Sequence, residues 1–270
     1  MKTRIITGAV LVAVLLIVLF VCPAWATAWM LSFMLAIAAY ELLYCTGLVR
    51  HFRMVIYSAV AAFAVPLWCY YQPGEGWDVL AILAFVSLLI MEVMLAHTQV
   101  KFEKVAICIV AGLVIPAALS SIVRILIGKD GQFLVLTPFV LAFIPDTGAY
   151  FTGRFFGKHK LAPVISPKKT IEGAIGGLVT GMLCMVLYMF ILNIGFDIKV
   201  NYVYAMIYGL VGSASSVLGD LSFSVIKRQT GIKDYGKLFP GHGGILDRFD
   251  SVMVVGPLTE ALLLILPVAK

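Results

Sequence analysis

The chain has 270 residues, of which 62% are hydrophobic and 13% charged, and a net charge of +6. Its mean hydropathy is +1.04. That balance excludes a water-soluble globular enzyme, and the apolar runs are too long and too unalternated for the roughly ten-residue strands of a β-barrel, so the chain reads as an all-α polytopic integral membrane protein.

In chain order the candidate spans are 5–22, 24–46, 54–71, 77–96, 105–127, 132–152, 174–194, 202–226 and 251–269. Each lies near the ~20 residues that a bilayer-crossing helix needs, which predicts about nine transmembrane helices. Spans six and eight carry polar residues mid-run, and Pro23 sits in a very short hairpin between the first two. No polar stretch is large enough for a soluble domain. Residues 1–270 therefore read as one membrane domain, with N-terminal spans in 1–130 and the motif-bearing half in 131–270.

The basic residues orient these spans. With the N-terminus in the cytoplasm, the opposite face receives Arg124, Lys129, Lys199 and Lys270, and the other sixteen of the 20 Lys and Arg residues fall on the cytoplasmic side. This is a strong positive-inside bias. Lys2, Arg4, the following apolar run and Ala24-Trp25-Ala26 also resemble a secretory signal. A retained first span fits better, since eight more follow and both cations suit the inside count. The five cysteines, Cys22, Cys45, Cys69, Cys108 and Cys184, form no C-x-x-C pair and read as small packing residues.

Two long cytoplasmic loops, 153–174 and 227–250, hold most of the polarity. The first contains ISPKKTIEG, in which Ser166 is expected as helix N-cap and Pro167 as first helical residue. Free N–H groups there, with Lys168 and Lys169, would suit a phosphate. GRFFGK at 153–158 is not a Walker A loop, because only three residues stand between its glycines, where four are needed, and His159 follows the lysine. Next, Gly173, Gly177 and Gly181 repeat at small-xxx-small spacing and predict close helix packing. In span eight, Ser213, Ser216, Asp220, Ser224 and Lys227 share one helical face, a stripe expected to line a wet interior.

Acids inside apolar spans are costly and usually face a cavity or a partner. Asp146 and Asp220 stand beside cation-rich loops. Glu41, Glu92 and Glu260 are more isolated and read as structural or interfacial. In PGHGGILDRFD, Pro240 with Gly241, Gly243 and Gly244 prevents a continuous helix and allows a tight turn around His242 that can present N–H groups to phosphate. Asp247 and Asp250 follow at the start of the last span. Asp250 suits a helix-dipole role, and Asp247 less so. If the loop folds inward, Asp220 and Asp247 would meet, and oxygen ligands beside phosphates favour Mg²⁺. The residues alone thus suggest metal-assisted phosphoryl or nucleotidyl transfer at the cytoplasmic surface.

The stretch 222–250, SFSVIKRQTGIKDYGKLFPGHGGILDRFD, resembles the signature of the phosphatidate cytidylyltransferases (CDP-diacylglycerol synthases). Its Ser224, Lys227-Arg228, Lys233-Asp234, Pro240 to Gly244, Asp247-Arg248 and Asp250 match that pattern without departure. Residues 146–173 also resemble the family, whereas the first five spans match in hydropathy and length alone. The resemblance implies CTP and phosphatidate as substrates, CDP-diacylglycerol and pyrophosphate as products, and a place in phospholipid biosynthesis.

On that footing Asp220 and Asp247 are expected to hold Mg²⁺, with Asp146 and Asp250 as supports and a second cation left open. Lys169 and His242 are expected to join them in catalysis. Ser166, Lys168, Lys169, Ser224, Lys227, Arg228, Lys233, Gly243, Gly244 and Arg248 are expected to bind substrate. No nucleic-acid partner is expected, and a homodimer is left open. Nine spans with a cytoplasmic site suit a bacterial inner membrane. Two rivals are CTP-dependent transfer to another lipid and, from a different class, a transporter using Asp146 and Asp220 as an ion path. One-sided polarity and the lack of an inverted repeat weigh against transport.

Overall fold

The structure is a computed structural model that describes residues 2–98 and 100–269, with side chains from Thr7 onward. Lys270 and the side chains of Lys2 and Arg4, all counted in the charge bias, lie outside the described residues. Among the described residues, seven helical segments are long and apolar enough to cross a bilayer: Ala24–Cys45, Phe52–Tyr71, Trp77–Leu95, Glu103–Ile127, Gly131–Phe156, Ile171–Phe196 and Tyr202–Thr230. Thr7–Phe20, the part of the helix Lys2–Phe20 whose side chains are described, is also apolar, and so is the shorter Val252–Ile265. The chain is thus a helical polytopic membrane protein. Among the described residues its one sheet is a two-stranded hairpin.

The chain forms two compact units. The first comprises the residues up to Ile127 together with Gln229–Arg248, and the second comprises Gly128–Arg228 and Phe249–Lys270. Residues 229–248 of the signature therefore belong with the N-terminal helices, whereas its beginning at 222–228 and its end at 249–250 belong with the motif at 146–173.

In the first unit, α1 (Lys2–Phe20) and α2 (Ala24–Tyr40) lead into a π-helical turn, Glu41–Cys45. Then follow α3 (Phe52–Tyr71), α4 (Trp77–Leu95), α5 (Glu103–Ile109), a second π-turn at Val110–Val114, α6 (Ile115–Leu119) and α7 (Ser121–Ile127). Leu31, Leu35 and Ala38 of α2 and Met54, Val55 and Ala62 of α3 are buried in the core. Gly112 lets the second π-turn approach α3 at backbone distance, since a Cβ there would stand 3.2 Å from Ser58 Cα. Glu92 is buried in α4 and accepts a hydrogen bond from Tyr57 Oη at 3.1 Å, with Arg53 Nη1 at 3.6 Å. Its structural reading therefore stands, because a buried acid is tolerable when it is paired.

The second unit contains α8 (Gly131–Leu134), α9 (Thr137–Phe156), β1 (Lys160–Ala162), β2 (Ser166–Thr170), α10 (Ile171–Phe196), α11 (Tyr202–Thr230) and α13 (Val252–Ile265). The short α12 (Leu246–Phe249) stands at the end of the segment that belongs to the first unit. The glycine spacing on α10 does what it predicts. A Cβ at Gly177 would lie 2.9 Å from Pro145 O and 3.1 Å from Ala149 Cβ, so α9 and α10 meet at backbone distance.

Two expectations need correction. Ser166 is not a helix N-cap, and Pro167 is not at a first helical position. Both lie in β2, which pairs antiparallel with β1, with Ala162 opposite Ser166. Proline biases the residue before it toward extended backbone, and the hairpin gives that conformation hydrogen bonds. The helix starts four residues later than expected at Ile171, where Thr170 Oγ1 accepts from Gly173 N at 3.1 Å as the cap. The polar stripe on α11 is also only half wet. Ser213 and Ser216 are fully buried, and Ser216 Oγ donates to Ala142 O at 3.1 Å. A serine can satisfy its hydroxyl on a neighbouring carbonyl and needs no water.

Candidate active site

In the second unit, a cavity of about 330 Å³ is lined by Asp146, Tyr150, Arg154, Lys168, Lys169 and Asp220, with small residues between them. The hairpin presents the two lysines. Because successive strand side chains alternate in direction, Lys168 is exposed and Lys169 turns inward. Lys169 Nζ stands 2.5 Å from Asp220 Oδ2, and both side chains are about a quarter exposed (23% and 26%). One turn along α11, Ser224 Oγ donates to Asp220 Oδ1 at 3.3 Å. Asp220 is thereby fixed by a cation on one oxygen and a hydroxyl on the other.

Asp250 joins this group. Its carboxyl is pushed up to about 7, first by desolvation and then by the charge of Asp220, with Asp146 adding to the repulsion. Three carboxylates from different parts of the sequence thus feel one another, and Asp250 is more than a helix cap. Its raised pKa has a sign that can be tested. Below the ordinary value of 3.8 the carboxyl is neutral folded or unfolded, whereas between 3.8 and about 7 it ionises in the unfolded state but keeps its proton in the folded one, so stability falls as pH rises through that window. Without divalent cations, Asp250→Asn should therefore raise the thermal midpoint more at pH 8 than at pH 5. Equal gains at both pH values would remove the repulsion from the account.

Other basic residues here have local duties. Arg228 Nε donates to Ile165 O at 3.1 Å and ties α11 to the hairpin turn. Arg154 Nη1 donates to Tyr150 Oη at 2.9 Å, one helical turn away, and both side chains line the cavity. Sequence reasoning counted Arg154 among the inside cations but did not place it in the site. The signal was there: its position one turn after Tyr150 and two turns after Asp146 puts all three on one helical face. Glu172 organises the hairpin entrance, accepting from Lys158 N at 3.1 Å and meeting His159 Nδ1 at 2.6 Å.

In the first unit, the signature segment folds as a turn. Phe239 N donates to Gly243 O and His242 N to Phe239 O, each at 2.9 Å. Gly241 (φ 77°) and Gly243 (φ 81°) are left-handed, which a glycine adopts without strain. Asp247 is 7% exposed, and its Oδ2 accepts from Tyr235 N at 2.8 Å and from Gly244 N at 2.9 Å. It therefore stitches the two ends of the turn together. Lys233 and Arg248 are exposed, and His242 lies beside Gly8 of α1. Glu41, read from sequence as structural, accepts from Ile245 N and Leu246 N at 3.1 Å each.

The donor chemistry of the acids suits a hard divalent cation, since every candidate ligand is a carboxylate oxygen. Among the described residues no three Asp, Glu, His or Cys side chains group closely enough to hold an ion by themselves.

Comparison with known proteins identifies the family. The sequence model of the cytidylyltransferase family matches residues 2–266. A Staphylococcus haemolyticus protein named phosphatidate cytidylyltransferase is 36% identical over 213 residues, covering 77% of this chain and 78% of that protein. Proteins of the same name from Staphylococcus epidermidis and Staphylococcus aureus are 46% and 44% identical over 136 residues, about half of each chain compared.

Proposed function

The chain belongs to the cytidylyltransferase family, and from that premise we infer that it transfers CMP from CTP to phosphatidate, giving CDP-diacylglycerol and pyrophosphate. The observation that carries the reading within the molecule is the cavity of the second unit, where Lys168, Lys169 and Arg154 gather beside Asp146 and Asp220. Cations there can offset phosphate charge while acids bind a metal.

The nucleophile is the phosphate monoester of phosphatidate, largely dianionic near neutral pH because its second pKa is about 6. It needs little general-base help. A phosphate oxygen attacks the α-phosphorus of CTP, a new P–O–P link forms, and the bond to the departing pyrophosphate breaks. The obstacle is repulsion between two anions. Lys169 is already held at its post by Asp220, so its charge is preorganised for the phosphates. Lys168 and Arg154 extend the cationic wall, and Lys227, Arg228, Lys233 and Arg248 are proposed to bind the remaining phosphate oxygens. Asp220, with Asp146 and Asp250 beside it, is proposed to hold Mg²⁺, which when bound would neutralise developing charge on the phosphates. Asp247 is proposed as a ligand on the strength of the signature, in addition to its hold on the turn. His242 is proposed to contact or protonate pyrophosphate.

The charge bias supports a site on the cytoplasmic side of a bacterial inner membrane. Helices Thr7–Phe20 and Val252–Ile265 are proposed to complete nine crossings. The test is direct. Purified protein with CTP, phosphatidate and Mg²⁺ should release pyrophosphate and form CDP-diacylglycerol, and EDTA should abolish both. CMP transfer to a different lipid acceptor in preference to phosphatidate would overturn the substrate assignment.

A further inference from the structure

Glu41 lies in a run of apolar residues, where a carboxylate is expensive, yet it is 3% exposed. Burying an ionisable group without partners costs several kcal/mol or more, so its surroundings must compensate. Among the described residues its hydrogen-bond partners are backbone amides: Ile245 N donates to Oε1 and Leu246 N to Oε2, each at 3.1 Å. These amides open the four-residue helix Leu246–Phe249, where N–H groups have no partner within the helix. Glu41 therefore caps, from about two hundred residues away in sequence, the backbone that follows the glycine turn.

The space around the carboxylate is reserved as well. A Cβ on Gly236 or on Gly244 would collide with the Glu41 carboxylate, so two of the segment's glycines serve to admit this side chain. Glu41 is also the first residue of the π-helical turn Glu41–Cys45, a local widening of the helix that is often found at functional positions. On the other side of the same loop, Asp247 Oδ2 receives Tyr235 N and Gly244 N. The backbone of 235–247 is thus wound around two carboxylates, one of its own and one from the π-helical turn that follows α2.

We propose that Glu41 is the positioning residue of the signature turn, holding Gly244 to Asp247 in the shape that the transfer reaction requires. Its significance for turnover rests on the cytidylyltransferase reading. Its hold on the loop does not. The role requires an acceptor on both oxygens. Glutamine can offer one, and would turn an N–H toward the other amide. Aspartate keeps both acceptors but withdraws them by one methylene.

The test uses the full-length protein in detergent with Glu41→Ala, Glu41→Gln and Glu41→Asp. Hydrogen exchange by mass spectrometry should show faster exchange in Glu41→Ala confined to peptides covering 235–249, with the other helices unchanged. Turnover should fall on the order of 10²-fold, since misplacement of a catalytic segment by about 1 Å has that scale of effect. The loss should fall on kcat more than on KM for CTP, and Glu41→Gln should recover part of it. Wild-type exchange and kcat in Glu41→Ala would overturn the proposal. So would faster exchange spread over every helix, which would make Glu41 a general stability residue. If Glu41→Ala does not survive purification, Glu41→Gln and Glu41→Asp decide by the same local exchange pattern. A wild-type protein that releases no pyrophosphate would sink the activity reading and not the clasp, which the exchange pattern settles alone.

Discussion

Asp220→Asn should lose turnover on the order of 10²-fold or more, the scale expected when a group stabilising transition-state charge is removed. Asparagine keeps the shape and the acceptor for Ser224 but loses the charge. Two consequences follow together. The proposed metal site loses its central oxygen anion, and Lys169, 2.5 Å away, is left as a partly buried cation without its counter-ion. The second effect costs stability, because removing one partner strands the other. Side chains still about a quarter exposed are partly solvated, so the loss should be well below that of a deeply buried pair. The protein should therefore remain folded by size-exclusion chromatography while pyrophosphate release collapses. Combining Asp220→Asn with Lys169→Met should restore thermal stability without restoring activity. Near-normal turnover in Asp220→Asn would remove Asp220 from the chemistry.

Asp247→Asn should fail for a different mixture of reasons. Its Oδ2 holds two backbone amides, and hydrogen bonds to a charged acceptor contribute roughly 1.5–3 kcal/mol each. Asparagine retains one acceptor oxygen, so part of that is lost and the turn loosens, with turnover falling on the order of 10²-fold if the residue also serves as a ligand. Asp247→Glu changes the geometry without removing the charge. Gly243 leaves no room for a longer side chain, since even a Cβ on that glycine would stand 2.6 Å from Oδ2. Both variants should be inactive, and both should lower the thermal midpoint. An inactive Asp247→Asn with wild-type stability would shift the weight from the turn to the chemistry. Full activity in either variant would dismiss the residue.

Much of the molecule was legible beforehand for plain physical reasons. Hydropathy must mark helices that face lipid, so the seven long apolar segments were found among the described residues. Glycines at every fourth position forecast the approach of α10 to α9, because nothing else permits backbones that close. The family was legible too, because residues 222–250 carry its pattern in one continuous stretch and the family model matches residues 2–266. The start of α10 was misread because Ser-Pro at 166–167 is an equally good beginning for a helix and for an extended strand. The pairing with β1 decides between them.

The amino-acid order alone thus marks a helical membrane protein whose second half carries a stretch resembling the cytidylyltransferase signature. Those features depend on composition and on spacing along one helix or one turn. The fold alone decides which polar groups meet. It buries Ser213 and Ser216 dry against carbonyl groups, brings Asp250 into the field of Asp220 and Asp146, and sets Glu41 beneath the glycine turn. Ser216, Asp250 and Glu41 each interact there with residues distant in sequence. The energy of these interactions comes from desolvation and from the direction of a particular side chain, and neither is written in local periodicity.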